Sequence, residues 1–191
     1  MTGASGRRRE SLEGSGTSRR RLNLFDALVL VAATAVGLAV TRAFLEALPS
    51  FVGKASLSRY QVAGAAPLLA TWCLALPVLA ARPPRTPFRR LARRPGFAAC
   101  SSTALGLAAA SVLSLIETMC SKLSINGWPL FLVDLVFWLS PLVAPTISGA
   151  WLSLALGGRW LPERDWIGTL GRLLGVCWIV LFLAWQSLLR G

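Results

Sequence analysis

Two carboxylic acids lie in or beside long apolar stretches, where an ionisable side chain is costly and commonly has a function. Asp134 lies within the apolar stretch 130–137, and Glu117 ends the apolar stretch before it. Asp134, with Glu117 near it, could hold a proton or a cation. The alternative is that Asp134 lies near a membrane surface, where it reaches water or pairs with Lys122, and we favour this alternative.

Two prolines follow Asp134 along the chain. Pro141 and Pro145 are four residues apart and therefore share one face of a helix. Broken helices of this kind line substrate paths in some transporters. Proline is also frequent in membrane helices, where packing alone can stabilise a kink. We favour packing for this pair and keep a substrate path as the alternative.

A pair of glycines marks another point of helix contact. Gly171 and Gly175 are separated by three residues. Small residues at this spacing allow two membrane helices to approach closely. The pair predicts helix packing or self-association, although the same spacing often arises by chance.

The chain carries no residue pattern typical of catalysis or of cofactor and metal binding. It has no histidine, its four cysteines form no CxxC pair, and it has neither a glycine-rich phosphate loop nor a nucleophile elbow. Glu163 and Asp165 flank Arg164, which neutralises them and indicates a solvated loop. We predict no catalytic residue, no cofactor, no metal and no enzymatic activity.

The composition assigns these residues to a membrane protein. Of 191 residues, 54% are apolar and 15% are charged, whereas soluble domains carry about 25% charged residues. Several apolar stretches reach the length of about 20 residues that a bilayer requires. A net charge of +12 would suggest nucleic acid in a soluble protein. Here the basic residues flank apolar stretches, so we expect anionic membrane lipids as partners and no nucleic acid.

The apolar stretches predict an all-α integral membrane protein, a bundle of five transmembrane helices within one domain, 22–191. We expect residues 1–21 to form a disordered basic tail on the cytoplasmic side. The tail and first stretch resemble a signal peptide in outline, but no small-x-small site follows, so we expect an uncleaved helix. Four spans would remain if the first stretch lay on the membrane surface. The expected spans are approximately 24–48, 60–81, 96–116, 129–157 and 173–189.

Individual residues within these spans predict local contacts. Ala99, Thr103, Ala110 and Ser114 give the third span a small-residue character, so we expect it to be the central, buried helix. Pro67 and Pro77 should kink the second span. In the first span an ion pair between residues four positions apart is expected, namely Arg42 with Glu46.

The distribution of basic residues predicts the orientation. Six lie in the first 21 residues and six between Arg82 and Arg94. With the N-terminus inside, 15 of the 20 basic residues fall on the inner side and five on the outer, as the positive-inside rule favours. The C-terminus is then outside. The arginines expected to contact anionic headgroups are Arg19, Arg20, Arg21, Arg89, Arg90, Arg93 and Arg94.

The arginine-rich tail followed by the apolar residues 25–34 looks like small membrane proteins from bacterial genomes of high GC content. We therefore expect a multi-pass protein of the bacterial cytoplasmic membrane. The absence of catalytic motifs favours a structural or interaction component that associates with itself or with other membrane proteins. The alternative is a small transporter or channel subunit that uses the kinked fourth span and Asp134.

Overall fold

The structure, a computed structural model, describes residues 23–48, 61–81, 91–120, 127–158 and 166–190. These residues form helices and contain no strand. The five long helices, in chain order, are α1 (Leu24–Ala47), α2 (Ala66–Ala80), α3 (Pro95–Cys120), α4 (Gly127–Leu156) and α5 (Trp166–Arg190). The disordered tail predicted for residues 1–21 lies outside the described residues.

The prediction of five helices long and apolar enough to cross a bilayer is confirmed. Each of the five has at least 20 residues once a short helical turn before α2 is included, which matches the length needed for a hydrocarbon core. The first helix, on which the alternative count of four depended, has 24 residues.

Two helices extend beyond the approximate spans predicted from hydropathy. α3 extends to Cys120 instead of ending at residue 116, and α5 begins at Trp166 instead of residue 173. The first two turns of α5 were therefore expected to be part of a loop. Apolar length marks only the hydrocarbon core, whereas a helix can continue for several residues into the headgroup region on each side.

The second span is interrupted near its start. A helical turn at 61–63 is followed by a break at Gly64 and Ala65, after which α2 begins at Ala66. Pro67 explains the break, because it has no N–H to donate to the preceding turn and its ring clashes there. In contrast, Pro77 of α2 and both prolines of α4 lie inside helices that the structure shows as unbroken.

The third helix is central, as its small residues predict. α3 packs against α2, α4 and α5. All four of its predicted packing residues, Ala99, Thr103, Ala110 and Ser114, are buried. The main core includes Leu76 and Leu79 of α2, Cys100 of α3, Leu139, Val143 and Ile147 of α4, and Leu174 and Trp178 of α5.

The first helix lies at the edge of this bundle. It packs mainly on α2 and, near its C-terminal end, on α4. Only 11% of its most apolar window is buried, against 39–50% for the other four helices. The residues facing its neighbours recur at alternating spacings of four and three, the pattern of one helical stripe, namely Thr34, Gly37, Thr41, Phe44 and Leu48.

The charged side chains at the two ends of α1 differ in their surroundings. The predicted ion pair is confirmed, with 2.7 Å between Arg42 Nε and Glu46 Oε1 on the exposed face. Asp26 is wholly buried at the other end of the helix. Its Oδ2 accepts the backbone N–H of Asn23 at 3.2 Å, which satisfies a donor at the helix N-terminus.

Candidate functional site

The structure brings the two predicted acidic residues together where α3 ends and α4 is in its second turn. Trp138 Nε1 of α4 donates a hydrogen bond to Glu117 Oε2 of α3 over 3.1 Å. Asp134 lies one helical turn before Trp138 and interacts electrostatically with Glu117. The indole therefore fixes one carboxylate beside the other.

The two carboxylates have unequal surroundings. Glu117 is exposed, whereas Asp134 is half-buried between helices. Two like charges at close range repel each other, and a bound proton or cation removes the repulsion. This arrangement is chemically able to hold either one. Lys122, the alternative partner for Asp134, lies outside the described residues.

The helix prolines do not join this acidic pair. Pro145 is about 16 Å further along α4 than Asp134, at 1.5 Å per residue, and its side chain is exposed. Pro141 is half-buried and lies beside Ser140, which is wholly buried. The predicted substrate path and the predicted acidic site are thus two separate places on one helix.

Close contacts fix how α3 and α4 run along each other. Near the start of α3, Trp151 Nε1 donates to the Pro95 carbonyl over 2.9 Å. Further along, a Cβ at Gly106 would lie 2.6 Å from Val143 Cγ2. With the bond from Trp138 to Glu117 at the far end, these contacts define an antiparallel pair that holds the acidic residues in register.

The two predicted packing glycines face this chain's own helices. A Cβ added to Gly171 would lie 2.8–2.9 Å from backbone atoms of Gly96 in α3. A Cβ at Gly175 would lie 2.5 Å from the indole of Trp151 and 3.1 Å from Ala99 Cβ. Both glycines are therefore occupied within one molecule, and self-association would require another surface.

The predicted lipid-contacting arginines are described only in part. Arg93 is exposed and Arg94 half-buried, immediately before α3 begins. This position is where a basic side chain can reach headgroups from a helix end. The other five predicted contacts, Arg19, Arg20, Arg21, Arg89 and Arg90, lie outside the described residues.

Sequence reasoning missed one cluster in the core. Cys73 of α2 and Cys100 of α3 are both buried. The Cys73 thiol faces the side chains of Cys100, Thr103 and Trp178. No sequence signal marks this cluster, because its members are far apart in the chain and match no motif. Within the part of the chain that the structure describes, no group of three or more His, Cys, Asp or Glu side chains could hold a metal ion.

Comparisons of the chain with protein-family models, with curated proteins and with solved structures find no match. The function must therefore be inferred from the arrangement of the residues themselves.

Proposed function

We propose that this chain is a multi-pass protein of the bacterial cytoplasmic membrane that acts by associating with membrane proteins, itself included, and not by catalysis. The observation that supports this proposal is the uneven packing of its helices. α1 leaves most of its apolar surface free of contact with the rest of the molecule. Since lipid tails are as apolar as leucine side chains, the same surface suits either lipid or another helix.

The outward side of α1 is the surface proposed for association with a second copy. It presents large apolar side chains with exposed fractions between 42% and 80%, namely Leu24, Phe25, Leu28, Val31, Val36, Leu38 and Leu45. The glycine pair of α5 is already used within the molecule. The edge helix therefore offers the largest free surface for a partner.

Disulfide cross-linking in native membranes tests this proposal. Single cysteines replace Leu28, Val31 and Leu38 in a background in which the four native cysteines are serine. We expect covalent dimers from these positions after mild oxidation. A matched control is Val180 of α5, whose exposed fraction of 58% equals that of Leu28, and we expect it to remain monomeric. Equal cross-linking from both helices, or from neither, would contradict association through α1.

A cysteine of the native chain can be used to test the proposed orientation. Cys120 ends α3 and is exposed, on the side that the basic residues assign to the outside. A membrane-impermeant maleimide should label Cys120 of the native protein in intact cells, and it should label a cysteine introduced at Ser56 once the four native cysteines are serine. In a background in which the four native cysteines are serine, a cysteine introduced at Ser11 should be labelled only after lysis. Labelling of the Ser11 variant in intact cells would reverse the proposed orientation.

A second candidate function is a small transporter or channel subunit, which the proximity of Asp134 and Glu117 favours. A proton or cation would bind between the two carboxylates. The prolines of α4 would supply the local flexibility that a path through the bundle requires.

Flux into liposomes tests this second candidate. Cation or proton flux through the purified wild-type protein should fall strongly in Asp134→Asn and in Glu117→Gln. Glu46→Gln is the matched control, because Glu46 is an exposed acid whose partner is Arg42 on α1, and its flux should equal that of the wild type. Flux that is absent, or that survives both carboxylate substitutions, would exclude a transport role for this pair.

A further inference from the structure

Two thiols face each other inside the bundle. Cys73 of α2 is 0% exposed and Cys100 of α3 is 1% exposed, and each is unbridged. Both belong to the main core, where α2 and α3 pack together. A lone buried cysteine is an ordinary small apolar residue. A pair of thiols from two helices is different, because two soft sulfur ligands are brought to one point.

Polar groups from two helices converge on the same point. The Cys73 thiol also faces the Thr103 hydroxyl and the indole of Trp178. Trp178 is 0% exposed, and its Nε1 has no hydrogen-bond partner within the described part of the chain. A buried indole N–H almost always has an acceptor. Here it points at a neutral thiol, which is a weak acceptor.

The backbone beside Cys73 is also unusual. Pro77 lies four residues later in α2 and has no N–H, so the carbonyl of Cys73 cannot form its regular helical hydrogen bond. The helix is therefore more easily deformed at the turn that carries the thiol. A ligand entering a closed core requires such a deformable turn.

We propose that Cys73 and Cys100 form a two-coordinate binding site for a soft monovalent metal cation of the Cu(I) class. Thiolate sulfur selects Cu(I) over harder ions. On binding, two thiols each lose a proton, and the cation forms two sulfur bonds, so that one cation enters and two protons leave. The resulting thiolates are strong acceptors, and Trp178 Nε1 then has the partner that it lacks in the metal-free protein.

A disulfide between the same residues fits the surroundings less well. A disulfide sulfur accepts hydrogen bonds weakly, and the buried indole N–H would stay unsatisfied, which is unfavourable. A metal thiolate instead carries negative charge toward the indole N–H, whereas the Thr103 hydroxyl already donates to the Ala99 carbonyl over 3.0 Å. The disulfide is therefore an outcome that the experiment must exclude.

Competition for Cu(I) against a chromophoric chelator tests the proposal. The full-length wild-type protein in detergent, under anaerobic reducing conditions, should withdraw one equivalent of Cu(I) per chain from the chelator. Cys73→Ser and Cys100→Ser should each lose this equivalent. Cys120→Ser and Cys177→Ser are matched controls with exposed thiols, and both should retain it.

A variant that keeps both thiols provides a test that does not depend on whether the serine variants fold. Trp178→Phe removes the indole N–H and keeps an aromatic ring in the core. Residues that hydrogen-bond to metal ligands typically change affinity by about 10–100-fold when replaced. We expect Trp178→Phe to bind the same single equivalent about 10-fold more weakly, with the X-ray absorption signature of two sulfur ligands.

Three results would overturn the proposal. Cu(I) binding that persists in both Cys73→Ser and Cys100→Ser would place the metal elsewhere. Loss of the wild-type Cu(I) binding in Cys120→Ser or in Cys177→Ser would also place the metal elsewhere. Purified protein whose mass is lower by two hydrogens, with the Cys73 and Cys100 peptides linked, would identify the pair as a disulfide.

Discussion

The helix pair α3–α5 and the helix pair α1–α2 are held together by different means. α3 and α5 touch through backbone, at Gly96 and Gly171, with no room for a side chain between them. α1 meets α2 through one close approach at Gly37 and two hydrogen bonds, from Trp72 Nε1 to Thr34 Oγ1 at 3.0 Å and from Thr41 Oγ1 to the Gly64 carbonyl at 2.9 Å.

This difference between the two helix pairs is the one that a bilayer environment would favour. In a bilayer, burying apolar side chains against each other gains little over burying them in lipid, so helices associate by close packing and by hydrogen bonds. The central pair uses close packing along its contact. The edge helix, which is exposed on most of its circumference, uses polar contacts along one stripe. We therefore expect substitutions at the central contact to destabilise the whole bundle and substitutions at the edge contact to affect α1 alone.

The largest effect should come from the central contact. Gly171→Ala places a Cβ within 3 Å of the Gly96 backbone, and backbone cannot move aside as a flexible side chain can. We expect a loss of about 3 kcal/mol in unfolding free energy, measured by denaturant unfolding in micelles. In the control, Gly149→Ala, the Cβ would meet nothing within 4 Å. That variant should be unchanged or more stable by up to about 1 kcal/mol, and an equal loss in both variants would contradict the central contact.

A smaller and more local effect is expected at the edge. Gly37→Ala brings a Cβ to 2.6 Å from Thr71 Oγ1 and 2.9 Å from Leu68 Cα. We expect a loss of about 2 kcal/mol, confined to α1, because that helix can move away from α2 while the bundle stays intact. Hydrogen exchange should show faster exchange in α1 alone. The control Gly149→Ala, whose Cβ would meet nothing within 4 Å, should leave exchange in α1 unchanged, and faster exchange throughout α3 and α5 in Gly37→Ala would contradict the separation of the two regions.

The hydrogen bond between α1 and α2 should contribute still less. A double-mutant cycle with Thr34→Val and Trp72→Phe isolates the bond from Trp72 to Thr34. Bonds between membrane helices are worth about 0.6 kcal/mol on average, and we expect a coupling of that size. Because Thr34 Oγ1 also donates to the Leu30 carbonyl at 2.8 Å, the cycle is needed to separate the two contributions. A coupling of zero would leave Gly37 as the main contact of the edge helix.

The smallest effect should come from the exposed ion pair. Arg42 and Glu46 are in contact on the outward face of α1, where solvent and headgroups compete for both charges. Glu46→Gln should leave unfolding and hydrogen exchange as in the wild type. Destabilisation comparable to that of Gly37→Ala would show that the outward face takes part in the fold.

The fold could be predicted from the sequence at the level at which the bilayer dictates it. Apolar length alone indicates five helices, and the small residues of α3 indicate the central one. The helix ends at Cys120 and Trp166 could not be predicted, because apolar length stops at the hydrocarbon boundary and helical hydrogen bonding does not.

The candidate sites could be predicted only in part. Asp134 and Glu117 are conspicuous because charge is rare in apolar stretches, although their proximity depends on the register of α3 and α4. Cys73, Cys100 and Trp178 are ordinary apolar residues in sequence. They become a site only through the packing of α2, α3 and α5, which no spacing rule in one chain encodes.

From its backbone contact with α3, α5 runs through the core to the aromatic rings near the acidic residues. At Gly171 the two helices touch, whereas two turns later a whole indole, Trp178, occupies the core beside α3. Beyond the contact, α5 runs on for about 28 Å. Near its far end Trp185 meets Phe137 of α4 edge to face, with ring centroids 5.5 Å apart. α5 therefore connects the core around Trp178 with the rings beside Trp138, whose indole donates to Glu117.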